Sequence, residues 1–376
     1  MLEKIKALRK ELHQNPELSG EEFETAKRIR AFVEENHNTT IIDNLGETGM
    51  AVIYDYPAEG PTVMIRCELD ALPIDEPNTF DYKSVTKGVS HKCGHDGHMS
   101  IVAGLVFWIK EQEFKKGKIV LLFQPAEETG TGAPGIMKDP RFEEVKPDYL
   151  FALHNIPGAP LHTVITVRND FTPSVQSFSA CLIGEKSHSA EPEKGNNPAI
   201  AMAELINAFS EIAVTDVSKD NFALFTPVYI TMGQKSYGIS AGYGELHYTI
   251  RTKTEPEMKK LEASINATLM RITEKYGLDL KTSWFDYFPS VVNDDFCNDV
   301  IIKAAEKNNL TIDFKPDPFK FGEDFGWFSQ NYKSAMFGLG AGESTPPLHN
   351  KDYDFPEELL VSGMDMFKAI ITEILE

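Results

Sequence analysis

Apolar residues recur at helical spacing at the start of the chain, where Ile5, Leu8 and Leu12 line one side of residues 2–13. The stretch His13-Gln14-Asn15-Pro16-Glu17-Leu18 breaks that pattern. Ser19 and Glu22 then have the spacing of a capping box, which predicts a second helix running to about Glu35. Beyond it the period shortens. Residues 40–42, 50–56 and 62–69 read as strands, the last running Val63-Met64-Ile65-Arg66-Cys67-Glu68-Leu69-Asp70 into the turn Ala71-Leu72-Pro73. Residues 99–108 read as a helix. Residues 118–123 and 149–154 are near-continuous apolar runs, the signature of strands buried on both faces. Strands alternating with helices predict an α/β domain with a mixed sheet and helices on both faces.

The pattern changes near Thr172-Pro173-Ser174. A strand (about 176–184), a helix (197–213), two strands (226–233 and 244–252), a helix (255–276) and a strand (279–285) follow. That β-α-β-β-α-β order is ferredoxin-like. It predicts an α+β domain, 173–286, inserted into a first domain made of 1–172 and 287–376. Helices near 295–308 and 356–375 belong to the returning α/β part.

Composition adds limits. At 376 residues the chain exceeds the size one hydrophobic core serves, which agrees with two domains. A formal charge of -20 opposes binding to nucleic acid or to an anionic membrane surface and otherwise serves solubility. Cys67, Cys93, Cys181 and Cys297 lie far apart, without the spacing of a disulfide framework, and suit a reducing, cytoplasmic compartment. The first ten residues are charged throughout and do not read as a signal peptide; no apolar run approaches the length of a membrane span.

The chemistry concentrates in Ser90-His91-Lys92-Cys93-Gly94-His95-Asp96-Gly97-His98-Met99. Imidazole and thiolate are ligands for zinc, manganese or iron, and packing alone does not call for such a cluster. Other candidates stand at or near strand ends, where open α/β sheets bind ligands. These are Asp70, Glu127 and Glu128 in Gln124-Pro125-Ala126-Glu127-Glu128, His154, and His349 after a glycine-rich run. Neighbours on a strand face opposite ways, so Glu127 and Glu128 share one site only if the strand has ended, as Pro125 implies. One could then bind metal while the other takes a proton from water. Alone, the pair also reads as an exposed acidic turn, Asp70 as a turn residue or cap, His154 and His349 as ordinary histidines, and Cys93 as a small buried hydrophobe. His13, His162 and His247 lack polar clustering and read as structural. A cysteine nucleophile would leave the Glu pair and His349 without roles.

Together these motifs resemble the amidohydrolase branch of the co-catalytic metallopeptidase superfamily, the branch of hippurate hydrolase, the indole-acetyl-amino-acid hydrolases and N-acetyldiaminopimelate deacetylase. Arg9 to Leu18, Arg66 to Ile74, Cys93 to His98, Gln124 to Glu128, Ala152-Leu153-His154, Asn197-Pro198, Thr249 to Thr252, Gly322-Glu323-Asp324-Phe325 and Leu348-His349 carry the resemblance. It implies that Cys93, His95, Glu128, His154 and His349 hold two divalent ions, manganese or zinc. It further implies that Glu127 is the general base, that Asp70 supports the metal site, and that His188 is a lid histidine steadying the oxyanion in a neighbouring subunit. The inserted domain would be the lid and the homodimer contact. The expected reaction is hydrolysis of the amide of an N-acyl amino acid, with Arg251 either gripping the substrate carboxylate through two parallel bonds or forming a structural ion pair. Cleavage of short peptides is the alternative activity; a metal-binding module without catalysis is a third reading, opposed by the presence of both Glu127 and Asp70. The chain departs from the family pattern at Ser187, where glycine is usual, at Thr129 after Glu128, and in the weak glycine run 233–242. Those positions bear on substrate identity.

Overall fold

The computed structural model describes residues 1–37 and 39–376. It divides into two compact units: Met1–Phe171 with Val291–Pro316 and Glu323–Glu376, and Thr172–Ser290 with Asp317–Gly322.

The first unit is built on an eight-stranded mixed sheet. From one edge the order is Thr40–Leu45, Gly49–Asp55, Lys116–Gln124, Ala58–Glu68, Tyr149–Ile156, Ser334–Gly340, Val164–Thr166 and Ile312–Phe314. Its four central strands, from Lys116–Gln124 to Ser334–Gly340, run parallel to one another. Val63, Ile65 and Cys67 on one strand join Ile119, Leu121 and Phe123 on the next in the main apolar core, with the long helices Leu2–Gln14, Phe23–Asn36, His95–Gly104, Asp295–Lys307 and Leu359–Leu375 against that face. Met64, Val120 and Leu122 alternate with those residues and are equally buried. Their face is served by the short helix Gly132–Lys138, which contacts the strand Lys116–Gln124. Burial on both sides is why these strands read as unbroken apolar runs.

The second unit is an antiparallel four-stranded sheet ordered Ala223–Met232, Tyr243–Thr252, Ser174–Ile183, Asp279–Phe288. In chain order that is 2-3-1-4, the ferredoxin-like arrangement. The helices Ala199–Ile212 and Glu255–Lys275 bury Leu205, Phe209, Ile265 and Leu269 against Phe178, Leu246 and Tyr248.

Two local expectations are corrected. The capping box at Ser19 and Glu22 does not form. The helix begins at Phe23 with no side-chain cap at Glu22. Ser19 Oγ instead donates to Asp70 Oδ2 at 2.7 Å. Glu22 is buried and accepts from Thr48 Oγ1 at 2.7 Å and from the Ala126 N–H at 2.8 Å. Polar partners elsewhere in the fold, an acceptor for Ser19 and donors for Glu22, outcompete the local cap. The helix expected at 99–108 starts earlier, at His95, because Gly94 makes the turn with a φ of 96°. His95 is therefore the first helical residue.

Candidate metal centre

Four parallel strands end side by side, and each supplies part of one cluster. Asp70 follows Ala58–Glu68, Glu127 and Glu128 follow Lys116–Gln124, His154 lies near the end of Tyr149–Ile156, and His349 lies beyond Ser334–Gly340. Cys93 and His95 come from the turn that opens the helix His95–Gly104. Gly94 has a positive φ there, and a Cβ would overlap Asn155 Oδ1 and lie 2.8 Å from the Tyr353 hydroxyl. Only glycine fits both requirements.

The strand does end before the Glu pair. Ala126 takes a left-handed φ of 51° and gives its N–H to Glu22. Both following carboxylates then approach one imidazole: His95 Nε2 lies 3.9 Å from Glu127 Oε2 and 4.0 Å from Glu128 Oε1. Asp70 braces this corner. Its Oδ2 accepts the Glu128 N–H at 2.9 Å, and its carbonyl accepts from His95 Nδ1 at 2.9 Å. With Nδ1 as the donor, the His95 Nε2 lone pair faces the cluster. Cys93 Sγ lies 3.6 Å from His154 Nε2, and His349 Nε2 lies 3.6 Å from Glu128 Oε1.

Three of the triads that bring ligand atoms within 4.8 Å of one another are Cys93 with His95 and His154, Cys93 with Glu128 and His349, and His95 with Glu127 and Glu128. His95 Nε2 and Glu128 Oε1 are buried without a hydrogen-bond partner. Sulfur, imidazole and carboxylate donors that converge with unpartnered lone pairs fit a divalent ion.

The electrostatics agree. Burial alone would lower His95, but Asp70, Glu68 and Glu128 outweigh it and raise the ring to about 10; a pocket that holds a proton this firmly also attracts a cation. Burial, reinforced by His98, drops His154 to about 3, which keeps it neutral as a ligand must be. Burial first, and then Glu323, Glu128, Asp324 and Asp70, push Glu127 well above the usual carboxylate range. Among the described residues, no nearby cation offsets the burial of Cys93. Burial and the carboxylates Glu128 and Glu127 push the thiol up, so its thiolate form calls for a divalent ion as partner.

Buried polar residues form the surround. His13 is fully buried and does cluster with polar groups, its Nδ1 2.9 Å from Asp96 Oδ2 and its Nε2 3.0 Å from Glu76 Oε1. Asp96 also pairs with Arg9 at 2.8 Å. His98 spans Glu68 Oε2 at 2.7 Å and Asn155 Oδ1 at 2.6 Å. The buried Arg66 guanidinium joins Glu68, Glu323 and Asp324 to Gln124. Apart from Arg66 with Glu68, these contacts join segments far apart in the chain, so no spacing reveals them.

His188 and Arg251 belong to the second unit. His188 is exposed on the two-residue strand Ser187–His188, where its Nδ1 accepts the Ala190 N–H at 3.1 Å. Arg251 Nε donates to the Lys320 carbonyl at 3.0 Å, and among the described residues Arg251 forms no ion pair.

Relatives agree with the geometry. The chain is 32% identical over 334 residues, 89% of its length and 79% of the relative's, to the N-acetyl-L-cysteine deacetylase of Bacillus subtilis (strain 168). It is 28% identical to the hippurate hydrolase of Campylobacter jejuni, with 98% and 96% of the two chains covered. Among solved structures it is similar to the Bacillus subtilis YXEP protein, described as a dinuclear metal binding peptidase, with a TM-score of 0.85, 25% identity and coverage of 100% and 98%. Residues 64–373 match the pattern of Peptidase family M20/M25/M40, and this chain belongs to that family.

Proposed function

We propose that the chain is a metal-dependent hydrolase that cleaves the amide bond of N-acyl amino acids. The observation that carries this reading is the convergence of the Cys93, His95 and His154 donors with Glu127 and Glu128 around one imidazole. Cys93, His95, Glu128, His154 and His349 hold two divalent ions, manganese or zinc. Such ions polarise a carbonyl and lower the pKa of water. Glu127 takes the proton of the attacking water on a carboxylate oxygen, then passes it to the leaving amine. Asp70 acts at one remove, fixing the tautomer of His95 and the peptide that presents Glu128. Asp324 offers its N–H to Glu127 Oε1 at 3.4 Å. His188 steadies the oxyanion, and the guanidinium of Arg251 receives the substrate carboxylate.

The second unit serves as lid and homodimer contact. Its edge strand Ala223–Met232 exposes Val228, Tyr229, Ile230 and Met232, an apolar edge that a second copy would cover. No helix among the described residues is long and apolar enough to cross a membrane. The four cysteines are unpaired, which agrees with a cytoplasmic enzyme.

The test is a hydrolysis screen of metal-stripped protein, with and without added Mn²⁺ or Zn²⁺, on N-acetyl and N-benzoyl amino acids beside dipeptides. Ion-dependent release of amino acid from the N-acyl substrates is expected. Turnover confined to dipeptides would replace this reading with a peptidase.

A further inference from the structure

One buried cation beside the candidate ligands has no part in the reaction above. Lys92 precedes Cys93, and its side chain is wholly buried. Its ammonium donates to the Glu76 carboxylate, to Asn78 Oδ1 at 3.0 Å and to the backbone carbonyl of Tyr353 at 2.8 Å. Its own carbonyl accepts the His349 N–H at 2.7 Å. One residue thus grips both ends of the segment 349–353. Asn350 stiffens the span between, taking the Tyr353 N–H on its carbonyl and the Asp352 N–H on its side chain, each at 2.9 Å.

His349 needs such a grip. Its φ of 62° lies in the left-handed region, which a residue with a Cβ enters at a cost. Its side chain is 51% exposed, so packing does little to hold the ring 3.6 Å from Glu128. At the far end of the segment, the Tyr353 hydroxyl accepts from Asn155 Nδ2 at 2.6 Å, and Asn155 follows His154 in the chain. A buried ion pair such as Lys92 with Glu76 is a poor source of stability, because desolvation consumes most of its attraction. Its geometric consequence is specific: it fixes where the loop carrying His349 meets the loop carrying Cys93.

We propose that Lys92 is a positioning residue for His349. The ion that draws on His349 depends on Lys92, and the ion held by the buried Cys93, His95 and His154 donors does not. The inference rests on His349 being a ligand, as proposed above.

Stepwise titration of the metal-stripped protein with Co²⁺, followed by calorimetry and by the visible d–d bands, tests it. Lys92→Met keeps the volume of the stem and removes the ammonium. The binding step lost in His349→Ala should weaken about 10–100-fold in Lys92→Met, the usual range for a residue that orients a ligand. The other step should keep its affinity and its spectrum. The double variant Lys92→Met/His349→Ala should lose nothing beyond His349→Ala, since both changes act on one contact. Glu76→Gln loosens the ammonium and leaves the Tyr353 contact, so it should show a smaller loss in the same step; it decides the matter if Lys92→Met does not fold. If His349→Ala keeps both steps, the ligand assignment itself fails. If His349→Ala loses one step while Lys92→Met and Glu76→Gln weaken neither step, or both equally, or add to the loss in the double variant, the positioning role is overturned.

Discussion

The candidate ligands are held in two different ways. Cys93, His95 and His154 sit at a helix start and a strand end, and all three are buried. The sheet and the Gly94 turn dictate where they point. Glu128 and His349 lie on segments that have left the sheet, and the His349 ring is half exposed. What places them is a hydrogen bond from each backbone N–H, Glu128 to the Asp70 carboxylate and His349 to the Lys92 carbonyl, together with the Lys92 ammonium bound to the Tyr353 carbonyl. Sites on rigid elements are precise by construction, whereas loop-borne ligands need supporting contacts. The inner set should therefore fail all at once, and the outer pair by degrees.

The largest effect is expected from His95→Ala. It removes an imidazole that stands between the inner donors and both carboxylates, so metal content measured by elemental analysis should collapse and turnover should reach background. His349→Ala should be milder, losing one ion and keeping the other; loss of both would erase the distinction between the sets. Gly94→Ala probes the scaffold under the inner set. It forces a Cβ onto Asn155 and a left-handed φ onto alanine, and should cost about 1–3 kcal/mol in a urea unfolding experiment. An unchanged midpoint would mean that the turn is not what fixes Cys93 against His95.

The smallest effect concerns the surround. Burial pushes Glu76 up, but hydrogen bonds from His13 and Lys92 outweigh it and hold the carboxyl at about 2, below its usual 4.5. A folded value below the unfolded one stabilises fully above about 4.5, and that contribution is lost as the pH falls toward 2. The thermal midpoint of Glu76→Gln should accordingly fall less steeply than that of the parent between those pH values. Parallel curves would remove Glu76 from the acid response.

What could be read in the chain was local. Cys93 and His95 stand out because two strong donors flank a glycine, and Glu127 and Glu128 because Pro125 ends a strand before two adjacent acids. The alternation of strands and helices, and its change near Thr172, likewise depend on neighbours in sequence. The errors were long-range. Ser19 looked like a cap because its partner Asp70 is distant in the chain, and Glu22 looked like half of a capping box because Ala126 is farther still. His13 seemed isolated although Asp96 and Glu76 await it in the fold. Nothing near Lys92 in the chain announces its bond to Tyr353. A buried polar network is assembled from segments that meet only once the chain has folded, so it leaves little periodic trace.

The central claim is that Glu127 moves the proton while its neighbours hold the ions. Glu127→Gln separates the two, because the amide keeps the shape and cannot accept the proton. Metal content and turnover on an N-acyl amino acid should be measured on the same preparation. The expected result is unchanged metal with turnover lowered by roughly 10²–10⁴, the usual worth of a general base. Turnover near that of the parent at full metal occupancy would contradict the assignment.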